Sequence, residues 1–204
     1  MGVFPDFQIE AKLASAGIVG IDEVGRGALA GPVIAAAIIL PYEAKDIWLS
    51  YGITDSKKLT ARKREELYDI LIAQCQYATG MASSEEVDEY NVLQATMMAM
   101  RRAAEKMPAF ELSWRLIDGN RSPWPQDKRA LTVIGGDSKS ITIAAASIIA
   151  KVTRDKLMQD QACTHPHYMW EENKGYGTTK HLAAIREFGP SPLHRQTFLK
   201  RLLA

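Results

Sequence analysis

Near the start of the chain, apolar residues come in two β-rich blocks, 18–21 and 33–40, separated by a glycine-rich turn that holds Gly25, Gly27 and Gly31-Pro32. The period then changes. Leu67, Ile70 and Leu71 recur at helical spacing within 59–75, as do Val92, Met97, Met100 and Ala104 within 91–107, which Pro108 stops. Residues 76–82, 114–118 and 131–134 predict short strands, the second ending in the turn signal Asp118-Gly119-Asn120. Ile141, Ala145, Ile148 and Val152 mark 140–162 as the longest helix. Residues 179–188 predict another, closed by Gly189-Pro190, and Ser191-Pro192 has the cap-then-proline pattern that opens a last one. Strands first, helices interleaved and a helical tail predict an α/β fold built on one mixed sheet.

Three of these apolar elements deliver an acid where a hydrophobe belongs. The first strand runs into Asp22-Glu23, the strand at 114–118 ends on Asp118, and Asp155 shares a helix face with Ile148 and Val152. Neighbouring strand side chains point to opposite faces, so one of Asp22 and Glu23 faces inward, where an unpartnered carboxylate costs several kcal/mol. Each acid alone has an ordinary reading: Asp118 as a turn former, Asp155 as a partner of Lys151, Glu23 as a solvated rim residue. Together they fit better as a carboxylate cluster. Such a cluster repels itself until a hard divalent cation enters, and oxygen ligands select Mg²⁺ or Mn²⁺ over zinc. One or two such ions commonly serve phosphoryl chemistry.

At these residues the sequence resembles the type 2 ribonuclease H family. The resemblance rests on Asp22-Glu-Val-Gly-Arg-Gly27, Asp55-Ser-Lys-Lys-Leu59, Ile117-Asp-Gly-Asn120, Gly136-Asp-Ser-Lys139, Ala144-Ala-Ala-Ser-Ile148, Ala150-Lys-Val-Thr-Arg-Asp155 and Gly175-Tyr-Gly-Thr178. It implies a ribonuclease H-like mixed β-sheet flanked by helices, with a helical C-terminal extension. It also implies a metal-dependent endonuclease that cuts the RNA strand of RNA–DNA hybrids and nicks 5′ to single ribonucleotides in duplex DNA, leaving 5′-phosphate and 3′-hydroxyl ends. Asp22, Glu23, Asp118 and Asp155 take the family's four acidic positions, the first three as principal ligands of Mn²⁺ or Mg²⁺ and Asp155 as support for a second ion and the attacking water. Gly25, Arg26 and Gly27 would read the ribose 2′-hydroxyl and bind the adjacent phosphate, since glycines let the backbone approach closely. Tyr176 would pack on the sugar beyond the junction, and Lys57 would contact the cleaved phosphate region.

Composition narrows the field. The chain has 204 residues, 47% of them hydrophobic and 24% charged, which suits one folded domain. Residues 1–204 are expected to form a single catalytic domain, of which roughly 174–204 make the basic extension. Net charge is +1, yet 174–204 hold six Lys or Arg against one acid, Glu187. A cationic section on a mildly acidic body suits a polyanionic partner, although a solvated helix face explains it equally on charge alone. The longest apolar run, 27–40, is 14 residues and broken by Pro32, too short for a membrane span. No secretory signal is visible, and Cys75 and Cys163 read as reduced thiols, so a cytoplasmic monomer is expected. His165-Pro-His167 lacks further ligands at zinc spacing and reads as a loop. The tail, Gln196-Thr-Phe-Leu199 to Leu203, loosely resembles a sliding-clamp-binding motif but has leucines where paired aromatics are expected; an amphipathic end helix is the better reading. The competing functions are a DNA-cutting nuclease of the same superfold and a hybrid-binding protein without catalysis. Gly25-Arg26-Gly27 with Tyr176 argues against the first, and the full set of acids against the second.

Overall fold

In a computed structural model, which describes residues 4–13, 17–108 and 110–200, the strands are β1 (Ile18–Val24), β2 (Val33–Ile39), β3 (Gln76–Ala82), β4 (Trp114–Asp118) and β5 (Ala130–Val133). The helices are α1 (Lys45–Ser50), α2 (Ala61–Gln74), α3 (Ser84–Ala104), α4 (Ile141–Thr164), α5 (Trp170–Asn173), α6 (Thr179–Phe188) and α7 (Gln196–Leu199). The sheet order is β3-β2-β1-β4-β5. β1, β2 and β3 form an antiparallel meander, while β1–β4 and β4–β5 pair in parallel.

β2 is apolar at every position because both of its faces are covered. Ala36 and Ile38 join a core with α2 and α4, whereas Val33, Ala35 and Ala37 join one with α3. α4 rides directly on β1. A side chain at Gly20 would put its Cβ 2.5 Å from the Thr142 backbone, so glycine there is a packing requirement. A third core, built from Leu29, Ala30, Met158, Trp170 and Ile185, ties the C-terminal helices to the turn after β1.

Two predicted boundaries move. The helix expected from residue 91 starts at Ser84 behind a Ser83/Glu86 capping box, and Asn91 interrupts it at φ 67°. Asn91 Oδ1 accepts the N–H groups of Leu93 and Gln94, so the apparent start is an internal second cap. The helix expected from Ser191-Pro192 begins only at Gln196. Ser191 is used otherwise: its N–H donates to His194 Nδ1 at 2.9 Å, and Asp88 of α3 accepts the N–H groups of Gln196 and Thr197 instead. Leu202 and Leu203 lie outside the described residues. Among the described residues no helix is long and apolar enough to cross a membrane.

Candidate active site

Parallel pairing creates the site. β1 and β4 run side by side with Ile21 opposite Ile117, so the next step of each strand sets Asp22 beside Asp118 at the same sheet edge. Glu23 follows on the opposite face of β1, toward α3, where Thr96, Met97 and Met100 wall a small recess with Arg26 and Asp118. The result is a cluster in which one carboxylate oxygen each from Asp22, Glu23 and Asp118 lies within 4.8 Å of the others.

These groups repel. Burial first, and then the charges of Glu23 and Asp118, push the Asp22 pKa well above the usual carboxylate range. Burial likewise raises Glu23; Arg26, whose Nη1 donates to Glu23 Oε1 at 3.2 Å, works the other way, and Asp118 adds to the rise. Among the described residues two backbone donors meet the cluster: Glu23 N–H on Asp22 Oδ1 and Gly136 N–H on Asp118 Oδ1, both at 2.7 Å. A buried, mutually repelling, all-oxygen donor set fits a hard divalent ion.

Asp137 and Lys57 face the same charges. Asp137 follows Gly136 directly, and its pKa is raised by burial and then by Asp55 and Asp118. Asp137 in turn adds to the rise at Asp22. Burial works against the Lys57 ammonium, but Asp55, Asp22, Asp137 and Asp118 outweigh it and raise its pKa. The loop that carries Lys57 is pinned from behind. Ser56 N–H donates to Ser147 Oγ of α4 at 3.2 Å, and Arg64 of α2 donates to the Ser56 carbonyl.

The turn after the acids is joined to the loop that carries Tyr176. Gly25 adopts φ +94°, and Arg26 and Gly27 stand exposed at the tip. The amides of Leu29 and Ala30 both donate to the Gly175 carbonyl, at 2.8 and 3.2 Å. Two fully buried arginines close the joint. Arg154 donates to the carbonyls of Pro32, Ala30 and Lys174 at 2.8 to 2.9 Å. Arg195 donates to Gly31 and, at 2.9 Å, to Arg26. Tyr176 is half-buried, its ring 5.2 Å from the Arg154 guanidinium and 5.9 Å from Lys151 Nζ.

The ribonuclease HII family model matches residues 19–202. The chain belongs to the ribonuclease HII family. It is 50% identical to ribonuclease HII of Ruegeria pomeroyi, over 95% of this chain and 82% of that protein, and 48% identical to the one from Wolbachia of Culex pipiens, over 96% of each. In fold it is similar to ribonuclease H2 of Pyrococcus horikoshii, with a TM-score of 0.72 over 89% of this chain and 93% of that one at 23% identity. It is also similar to ribonuclease HIII from Bst in complex with Mn²⁺, with a TM-score of 0.67 over 91% of this chain and 67% of that one at 18% identity. Members of the ribonuclease HII family are divalent-metal-dependent endonucleases of the ribonuclease H type, and that is the activity of this chain.

One of the family's four implied acids stands apart from the other three. Asp155 is absent from the carboxylate group. Its Oδ1 accepts Lys151 Nζ at 2.8 Å, and it lines a groove with Arg64, Lys156 and Lys174. The cause is helix length. From Thr142, beside Gly20, to Asp155, α4 advances about 20 Å, whereas Gly20 to Asp22 along β1 is about 7 Å. The helix carries residue 154 to the level of Gly25, past the acids. Asp137 stands nearer them, and a motif already quoted for the resemblance contains it.

Proposed function

We propose that this chain nicks duplex DNA 5′ to a single embedded ribonucleotide, as well as cutting the RNA strand of hybrids, and leaves 5′-phosphate and 3′-hydroxyl ends. The observation that carries this is the direct continuity between the acids and the turn 25–27, with the Tyr176 loop hydrogen-bonded onto the far side of that turn. A backbone tip two residues past Glu23 can approach a ribose 2′-hydroxyl only because residues 25 and 27 are glycines. Arg26, exposed there, binds the neighbouring phosphate; Tyr176 covers the next sugar and rejects a second 2′-hydroxyl.

Asp22, Glu23 and Asp118 hold Mn²⁺ or Mg²⁺, and Asp137 takes the fourth acidic role in place of Asp155. When bound, one or two such ions supply the positive charge and water activation that phosphodiester hydrolysis needs. Lys57 sits at the edge of the same field and neutralises charge on the scissile phosphate. The test is incubation of a duplex carrying one ribonucleotide with Mn²⁺, with Mg²⁺ and with chelator. A single nick 5′ to the ribonucleotide, lost in chelator, is the expected result, and cleavage of an all-DNA control at the same rate would refute it.

In this reading the partner is an RNA–DNA hybrid or ribonucleotide-containing DNA, bound by a monomer in the cytoplasm. Of the ribonuclease HII proteins with similar folds, the one from Archaeoglobus fulgidus is in complex with PCNA, with a TM-score of 0.71 at 24% identity over 88% of this chain and 93% of that one. In the present chain Leu199 is buried and Phe198 packs against two of its own cores. Clamp binding through the tail would therefore have to rest on the exposed Gln196, Thr197 and Lys200 together with residues 201–204. Unchanged clamp pull-down after deletion of residues 196–204 would remove it.

A further inference from the structure

Behind the Tyr176 loop lies a buried polar chain whose proton positions are fixed by its ends. His181, in the first turn of α6, is fully buried and His194 nearly so. His181 Nδ1 lies 2.9 Å from the Tyr176 carbonyl oxygen, while its Nε2 meets Trp170 Nε1 at 3.0 Å and His194 Nε2 at 3.1 Å. His194 Nδ1 meets the Ser191 N–H at 2.9 Å. A carbonyl only accepts, and an indole or backbone N–H only donates. His181 must therefore carry its proton on Nδ1 and accept at Nε2. His194 must accept at Nδ1 and carry its proton on Nε2. Both rings are neutral, and the donors run one way, from the Ser191 amide through His194 and His181 to the Tyr176 carbonyl.

The loop at the end of that chain needs holding. Lys174 has φ 51°, in the left-handed region that a lysine seldom adopts, and Gly175 follows at φ 81°. The Tyr176 carbonyl accepts from the Thr178 N–H at 2.8 Å as well as from His181, which fixes the peptide plane that aims the Tyr176 ring. We propose that His181 is a positioning residue for Tyr176: its Nδ1–H holds the loop in the setting that discriminates against a second ribose, without itself touching nucleic acid. This rests on the role of Tyr176 given above.

The experiment compares kcat/KM for nicking before a ribonucleotide that a deoxyribose follows, on a duplex carrying one, with kcat/KM for nicking before a ribonucleotide that a second ribose follows, at the first position of a duplex carrying two in succession. His181→Gln puts an acceptor near the Nε2 position for Trp170 but loses the donor to Tyr176. It should lower the one-to-two preference by about fivefold, the worth of one hydrogen bond. His181→Asn keeps a donor near the Nδ1 position and should keep the preference within about twofold of wild type. A role confined to folding would lower melting temperature and active fraction in both variants while leaving the preference of each unchanged, which would overturn the proposal. Tyr176→Ala separates the premise from the inference: a wild-type preference in that variant removes the Tyr176 reading and the proposal with it, whereas a lost preference there beside an intact one in His181→Gln overturns the proposal alone. Should the glutamine variant not fold, ¹⁵N imidazole spectra of the wild-type protein still decide. They should show the Nδ1–H form at His181, and the Nε2–H form there would overturn the assignment.

Discussion

At the end of the sheet, Asp22, Glu23 and Asp118 converge with two backbone amides and one exposed arginine to offset three carboxylates. Behind the neighbouring loops, Arg154 and Arg195 are at least as deeply buried, yet their guanidinium groups meet five backbone carbonyls between them. Both regions take charge out of water, with opposite outcomes. The arginines are satisfied by the chain itself, so they fasten the turn 25–32 to the loops at 174–176 and 195. The carboxylates are only partly compensated, so burial and mutual repulsion raise the Asp22 and Glu23 pKa values, and in the function proposed above the cluster would take a cation from outside. Charge buried with its partners builds structure. Charge buried against its like builds a site.

Asp118→Asn strikes this difference hardest. It removes one repelling charge while keeping an acceptor for the Gly136 amide. Cleavage of a hybrid should fall by at least about a thousandfold, while the metal-free protein should melt at the same temperature or higher. Calorimetry with and without Mn²⁺ checks it: a metal-free variant less stable than wild type would mean that Asp118 serves the fold. Asp137→Asn against Asp155→Asn is the next cut. Asp137 adds to the field at Asp22 and Asp155 pairs with Lys151, so the first should cost about a hundredfold in kcat and the second less than about tenfold. The reverse order in a steady-state assay would return Asp155 to the acid set.

The arginine region should answer in stability. Arg154→Met leaves the carbonyls of Ala30, Pro32 and Lys174 without donors and should cost about 3–5 kcal/mol in urea unfolding. A loss below about 1 kcal/mol would mean that water replaces the guanidinium, and the contrast with the carboxylates would fail.

The two regions were unequally legible in the sequence. Apolar strands that end in acids announced Asp22, Glu23 and Asp118, because a hydrophobic run has a local signature. The pairing of β1 with β4, which makes neighbours of residues almost a hundred apart, has none. The separation of Asp155 from the other three acids was not legible, because helical spacing gives the face a residue occupies and not how far along the strand the helix has carried it. The structural roles of Arg154, Arg195 and His181 were not legible for a related reason: their main acceptors are backbone carbonyls, which every residue offers. Ser191-Pro192 showed a helix start that the fold does not use, since His194 claims the serine.

The smallest expected effect is also the one that sets the two regions directly against each other. In the histidine chain burial is the main cause holding both rings neutral: His181 titrates below its ordinary value, and His194, further opposed by His181 and His165, is lowered to about 4. A depressed histidine contributes its full stability above its unfolded pKa, near 6.5, and loses it as pH falls toward the folded value. Between pH 7 and 5, His194 alone should cost about 2 kcal/mol. The Asp22 and Glu23 carboxylates move oppositely. Their raised folded pKa values penalise the fold at neutral pH, and that penalty fades as pH falls through them. His194→Gln keeps an N–H donor for His181 but cannot titrate, so its stability should decline less over this range than that of wild type. Asp118→Asn removes part of the carboxylate relief, so its decline should be steeper. Denaturant titrations at pH 7, 6 and 5 on the three metal-free proteins would show these slopes, and parallel slopes in all three would mean that neither buried cluster governs the response to acid.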